Sequence, residues 1–97
     1  MKTIIFSKNT SLKYNSSDQD YNRYFLKEKF KGLESSFEVY GYLYLNKVYE
    51  YLMVKWNPNN ENVVFKKDDG PIRLEFDHNE DTNEYIVAIA QKHKKDV

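Results

Sequence analysis

Ile72-Arg73-Leu74-Glu75-Phe76-Asp77-His78-Asn79-Glu80-Asp81-Thr82-Asn83-Glu84-Tyr85-Ile86-Val87-Ala88-Ile89-Ala90 is the segment on which the fold turns. Its first five residues alternate apolar and charged side chains, the period of a strand with one buried face. Tyr85 to Ala90 are apolar at both parities, which predicts a strand covered on both sides and therefore central. Between the two runs, Asp77 to Asn83 is rich in turn-forming Asn and Asp. Upstream, Val63-Val64-Phe65 leads through Lys67-Asp68-Asp69-Gly70-Pro71, read as a hairpin turn in which Gly supplies a positive φ. The C-terminal third thus reads as a three-stranded antiparallel β-meander.

Working toward the N-terminus, Trp56-Asn57-Pro58-Asn59-Asn60 is a turn signal, because Pro58 disfavours helix at Asn57 and Asn tolerates left-handed backbone. Leu45, Val48, Tyr49 and Leu52 stand at i, i+3, i+4 and i+7, which predicts a short amphipathic helix over 46–53 with Asn46 near its N-cap. Phe37 to Tyr40 reads as a strand that bends at Gly41 and ends at Tyr42 or Leu43. Strand and helix compete here, since Tyr40, Tyr42 and Tyr44 alternate with Leu43 and Leu45. Ser17-Asp18-Gln19-Asp20 resembles a capping box with Ser17 as N-cap. The helix it opens carries Tyr21, Tyr24 and Phe25 on one face, Leu26 and Phe30 beside it, and a stop at Gly32. Thr3 to Phe6 is a β-prone run suited to an edge strand, Ser7 to Ser17 a loop, and 91–97 a basic tail expected to fray. The expected fold is α+β, one domain over 1–97, with a three- or four-stranded antiparallel sheet packed by two helices.

Ninety-seven residues support a single hydrophobic core, and 16% aromatic content, including nine Tyr, means that rings supply much of its bulk. With no Cys, disulfides, thiolate metal sites and cysteine nucleophiles are excluded, and a reducing, cytoplasmic setting is the default expectation. Residues 2–8 hold too short an apolar run for a signal peptide, and no stretch is long enough to cross a bilayer. Fifteen basic and fifteen acidic side chains cancel, but unevenly along the chain. Asp68, Asp69, Glu75, Asp77, Glu80, Asp81 and Glu84 face only Arg73 between residues 68 and 84.

Asp77, Asn79 and Asp81 match the first positions of a calcium loop, but Thr82 stands where Gly is needed and Ala88 where the bidentate acid belongs, so no metal is predicted. The two histidines, His78 and His93, have no partner at metal spacing and no adjacent nucleophile. Gly32, Gly41 and Gly70 are too scattered for a phosphate loop, and no cofactor and no catalytic residue is predicted. Arg23, Lys27 and Lys31, near Tyr21, Tyr24 and Phe25, would track phosphates and stack bases in a nucleic-acid binder, though a net charge of zero argues against that class. The opposite reading gives Asp68, Asp69, Asp77, Glu80, Asp81 and Glu84 to a basic protein partner, one that itself holds nucleic acid such as a nuclease, with Trp56 and exposed Tyr as apolar anchors.

The segment Gly41-Tyr42-Leu43-Tyr44-Leu45-Asn46-Lys47-Val48-Tyr49-Glu50-Tyr51-Leu52 resembles a group of small proteins without established activity from Gram-positive bacteria, their phages and integrated elements. The group carries Gly after the motif's final Leu, where this chain has Met53. The resemblance implies a phage or mobile-element setting and transfers no catalytic residue. Together these readings lead to a non-enzymatic, cytoplasmic accessory protein that binds and inhibits a host protein, for example as an anti-CRISPR or other anti-defence inhibitor. The alternatives are a small nucleic-acid-binding regulator and a phage structural or assembly protein.

Overall fold

A computed structural model describes residues 1–56, 58–59 and 61–92. The segment that decides the fold forms the hairpin of β4 (Ile72–Asn79) and β5 (Glu84–Gln91), in register with Leu74 opposite Ile89 and His78 opposite Tyr85. β1 (Lys2–Phe6) pairs antiparallel on the other side of β5, giving the order β1-β5-β4 with β5 central. Two helices, α1 (Gln19–Tyr40) and α2 (Leu45–Tyr51), complete the α+β fold with a second sheet of two strands, β2 (Tyr42–Tyr44) and β3 (Val64–Lys66).

Among the described residues, only one face of the three-stranded sheet is covered. Ile4, Phe6, Tyr85, Val87, Ile89 and Leu74 are buried, and with Phe25, Leu26, Phe30, Leu33 and Phe37 of α1 they belong to one core cluster. The opposite face carries Ile86, 38% exposed, with Ala88 and Ala90 half-buried, so β5 is central without being covered on both sides. Small alanines and charged Glu75 and Asp77 on β4 keep that face tolerable in water.

β3 pairs with β2 rather than β4, so the third strand beside the C-terminal hairpin is β1. The Lys67–Asp69 segment winds into a 3-10 turn closed by Gly70 at φ 121°, a connection between sheets instead of a tight hairpin. Gln91 clamps that connection, its Nε2 donating to the Lys66 and Gly70 carbonyls at 2.6 and 2.9 Å. The pairing with β2 stacks buried Leu43 opposite buried Phe65.

α1 starts one residue later than expected: Asp18, extended at φ −143°, is the N-cap and its Oδ1 accepts from the Tyr21 amide at 3.0 Å. It then runs through Gly32 and absorbs the strand expected over 37–40. Leu26, Phe30, Leu33 and Phe37 continue one stripe, and burying Leu33 and Phe37 at roughly 1.5–3 kcal/mol each outweighs the ~1 kcal/mol propensity loss at Gly. A Cβ on Gly32 would stand 3.2 Å from Tyr51 Cε2, so the glycine serves the close approach of α2. Gly41 ends the helix at φ 82° with its amide on the Phe37 carbonyl at 2.9 Å. Nothing lies within 4 Å of a Cβ built there. Gly41→Ala should therefore carry the left-handed strain alone, a loss of about 1 kcal/mol in urea unfolding; a neutral result would refute the cap.

At α2 the boundary falls where β2 ends. Asn46 is not the cap side chain; its amide donates to Asn62 Oδ1 at 3.2 Å, and Leu45 N donates to the Val63 carbonyl at 2.7 Å. The expected turn at 56–60 and the frayed tail fall in part on residues 57, 60 and 93–97, which lie outside the described residues. No described helix is long and apolar enough to cross a membrane.

Candidate partner-binding site

Three tyrosines stand together where α1 hands over to β2. Tyr40 closes the last helical turn, Gly41 reverses the chain, and the two-residue period of β2 sends Tyr42 and Tyr44 outward while Leu43 turns into the core. The ring centroids lie 6.5 Å (Tyr40 to Tyr42) and 5.5 Å (Tyr42 to Tyr44) apart, the second pair edge to face. All three remain exposed, at 67, 47 and 46%. Ser36, Asn46, Lys47 and Glu50 join them around an open groove of about 440 Å³. The β3 register sets Lys66 beside Tyr42 and Val64 beside Tyr44.

The charges around this ridge are largely paired with each other. Lys67 Nζ sits 2.9 Å from Glu38 Oε2, and Lys47 Nζ 3.9 Å from Glu50 Oε2. Exposed pairs of this kind add little stability, but they leave an aromatic centre inside a polar rim of small net charge.

The six predicted carboxylates are exposed or half-exposed and do not converge. Asp68 and Asp69 belong to the 3-10 turn before β4, while Glu80 and Asp81 occupy the turn after it, separated by eight strand residues or roughly 25 Å. Asp77 and Glu84 share the open face of the sheet, with Asn79 opposite Glu84. None of the six is in an ion pair within 4.0 Å among the described residues. Trp56 is half-buried, its ring packed edge to face on Tyr49 at 4.9 Å, where it closes the core.

The basic alternative is internally neutralised. Arg23 pairs with Asp20, a hydrogen bond that is the main cause of its guanidinium being held above its ordinary value, and Lys31 Nζ lies 3.3 Å from Glu28. Lys27 is exposed. Because α1 extends to Tyr40, Glu34 and Glu38 join Asp20 and Glu28 against Arg23, Lys27, Lys29 and Lys31, so the helix has four charges of each sign.

At the other end of α1 lies a polar network. Tyr85 donates to Gln19 Oε1 at 2.7 Å, Gln19 Nε2 to the Tyr14 hydroxyl at 3.2 Å, and Tyr14 to the Asn83 carbonyl at 2.6 Å. His78 stacks on Tyr85 with centroids 4.4 Å apart, and its Nε2 lies 3.0 Å from Asn83 Oδ1. The imidazole is thus held by a ring and an amide. No group of three His, Asp or Glu side chains positioned to hold a metal is present among the described residues.

Burial pushes the Tyr85 phenol above the ordinary 10.0, with Arg23 opposing. A raised acid favours the neutral form in the folded chain, so its stabilisation is complete below pH 10 and is lost as pH climbs through the folded value. Tyr85→Phe should flatten that alkaline loss in urea midpoints measured above pH 9, and an unchanged slope would rule the phenol out.

Comparison with protein-family models, curated proteins and solved structures found no match for this chain. The ridge is a site that composition hinted at only through nine tyrosines. Its direct signal, Tyr at 40, 42 and 44, was legible as alternation but competed with the helix beginning at Leu45.

Proposed function

We propose that this chain acts by binding a protein partner through the Tyr40–Tyr42–Tyr44 ridge, and not by catalysis. The observation that carries the reading is three contiguous, half- to two-thirds-exposed tyrosine rings inside a rim of mutually paired charges. Tyrosine combines a large apolar body with a hydroxyl and few rotatable bonds, which is why it dominates the energetic centres of interfaces. A phosphate-tracking surface would need free cations, and Arg23 and Lys31 already face Asp20 and Glu28. The carboxylates at 77, 80, 81 and 84 form a separate surface at the far end of the sheet, suited to choosing a basic partner by charge rather than anchoring it. Inhibition of a host protein, such as a defence nuclease, in the cytoplasm of a bacterium carrying a phage or mobile element belongs to the same proposal; it rests on the resemblance of residues 41–52 and on the cysteine-free composition.

The test places a photo-cross-linking amino acid at Tyr42, at Tyr44 or, as comparison, at Glu80, in cells of the bacterial host. Ridge positions should give one discrete protein adduct. Tyr42→Thr with Tyr44→Thr, which puts strand-favouring β-branched side chains in β2, should weaken capture of that partner about 100-fold. Adducts from Glu80 alone would move the site to the acidic turn. Recovery of nucleic acid that high salt removes would favour the regulator instead.

A further inference from the structure

β4 is an edge strand: it pairs with β5, and no other strand pairs with it among the described residues. Of its core-facing side chains Leu74 is buried, while Ile72 and Phe76 on either side of it are half-buried, less covered than Val87 and Ile89 of the central strand. Phe30 of α1 stands over Phe76 with ring centroids 6.0 Å apart. Along the same helix, Tyr24, Lys27, Glu28, Phe30, Lys31 and Glu34 line a shallow groove of about 410 Å³, with Tyr24 66% exposed.

We propose that a second copy of this chain docks on the free edge of β4, forming a two-fold symmetric dimer in which Arg73 of each copy faces Glu75 of the other. A six-stranded sheet with both sets of helices on one side requires opposed residues of the same parity, so the axis must pass through a residue. Centred on Leu74, the register sets Leu74 against itself, Ile72 against Phe76, and Arg73 against Glu75 twice on the open face. Centring on Arg73, Glu75 or Asp77 opposes each to itself. Centring on Phe76 sets Glu75 against Asp77, and centring on Ile72 sets Glu75 against Asp69. Leu74 is therefore the centre at which residues of β4 itself pair opposite charges, and its like-charged opposition, Glu80 with Asp68, falls beyond both ends of the strand. Charges on an edge ordinarily discourage pairing; here their order is self-complementary.

Sedimentation equilibrium of the full chain decides the matter. The mass should rise from 11.7 kDa to twice that value across the micromolar range. Arg73→Glu and Glu75→Arg, each on the exposed face of an edge strand, should leave circular dichroism unchanged while raising the dimer dissociation constant at least about 30-fold. The combined R73E/E75R variant should restore it to within about threefold of the parent, because the pair is exchanged rather than removed. A monomer throughout the range, a dimer indifferent to both single changes, or a double variant no tighter than the singles would each overturn the proposal.

Discussion

Phe6→Ala is expected to destabilise the domain by about 4 kcal/mol and to lower its melting temperature by roughly 20 °C. Phe6 is fully buried and stacks on Phe25 at 5.5 Å and 11°, meets Tyr14 edge to face at 5.5 Å, and tilts against Tyr85 at 6.2 Å. One side chain thereby joins β1, the loop after it, α1 and β5. Its removal loses the transfer free energy of a ring and leaves a cavity walled by other rings, which collapse poorly. Because a domain of this size holds only about 5–15 kcal/mol in total, much of the population would unfold in moderate denaturant. Ile5→Ala, on the open face of the same strand, is the control and should cost less than about 1 kcal/mol. Urea unfolding of both variants checks the contrast, and a Phe6→Ala loss below about 1.5 kcal/mol would mean that the aromatic cluster does not organise the core.

The strands were legible because their signal is local. Alternation over 72–76 and apolar density over 85–90 fix both the hairpin and the central place of β5, and Thr3–Phe6 suffices for an edge. The end of α1 was not legible, because Gly32 is a stop by propensity and becomes a contact only once Tyr51 lies against it. Misplacing that end turned 37–40 into a strand and concealed the true C-cap at Gly41. The partner of β3 was equally hidden, since Gly70-Pro71 marks a change of direction without saying whether the next strand returns beside the last one.

For the site, the sequence exposed charge and concealed geometry. Six carboxylates close in sequence look like one patch, yet an eight-residue strand carries Asp68 and Asp69 away from Glu80 and Asp81. The basic set hid its pairing for a related reason, as Arg23 and Lys31 meet acids one helical turn away. The tyrosine ridge needed tertiary knowledge, because which parity of 40–45 faces water depends on where the helix stops.

Asn22→Leu should cost about 3 kcal/mol, although it replaces one side chain by another of similar size and is compatible with helix. Asn22 is fully buried, and its amide closes a ring: Oδ1 accepts from Asn15 N at 2.8 Å, while Nδ2 donates to the Asn15 carbonyl at 2.8 Å and to Gln19 Oε1 at 3.0 Å. Leucine leaves the Asn15 amide and the Gln19 side-chain oxygen without this partner and the Asn15 carbonyl with only the Asp18 amide at 3.3 Å, while the Asn22 pocket itself admits no water, at about 1–3 kcal/mol for a lost buried hydrogen bond. The loop it anchors is also held by Ser11, whose hydroxyl donates to the Leu52 carbonyl at 2.7 Å, and by Tyr14 on Asn83. Amide exchange should therefore quicken over residues 12–18 and in the β4–β5 turn. The tyrosine ridge lies at the opposite end of α1, about 30 Å along its axis, and its amides should keep their protection. Under conditions where the variant stays folded, partner capture through the ridge should survive, whereas capture through Glu80 and Asp81 should weaken. Hydrogen exchange and capture on this one variant thus separate the two surfaces, and loss of capture with an intact ridge would assign the interface to the acidic turn.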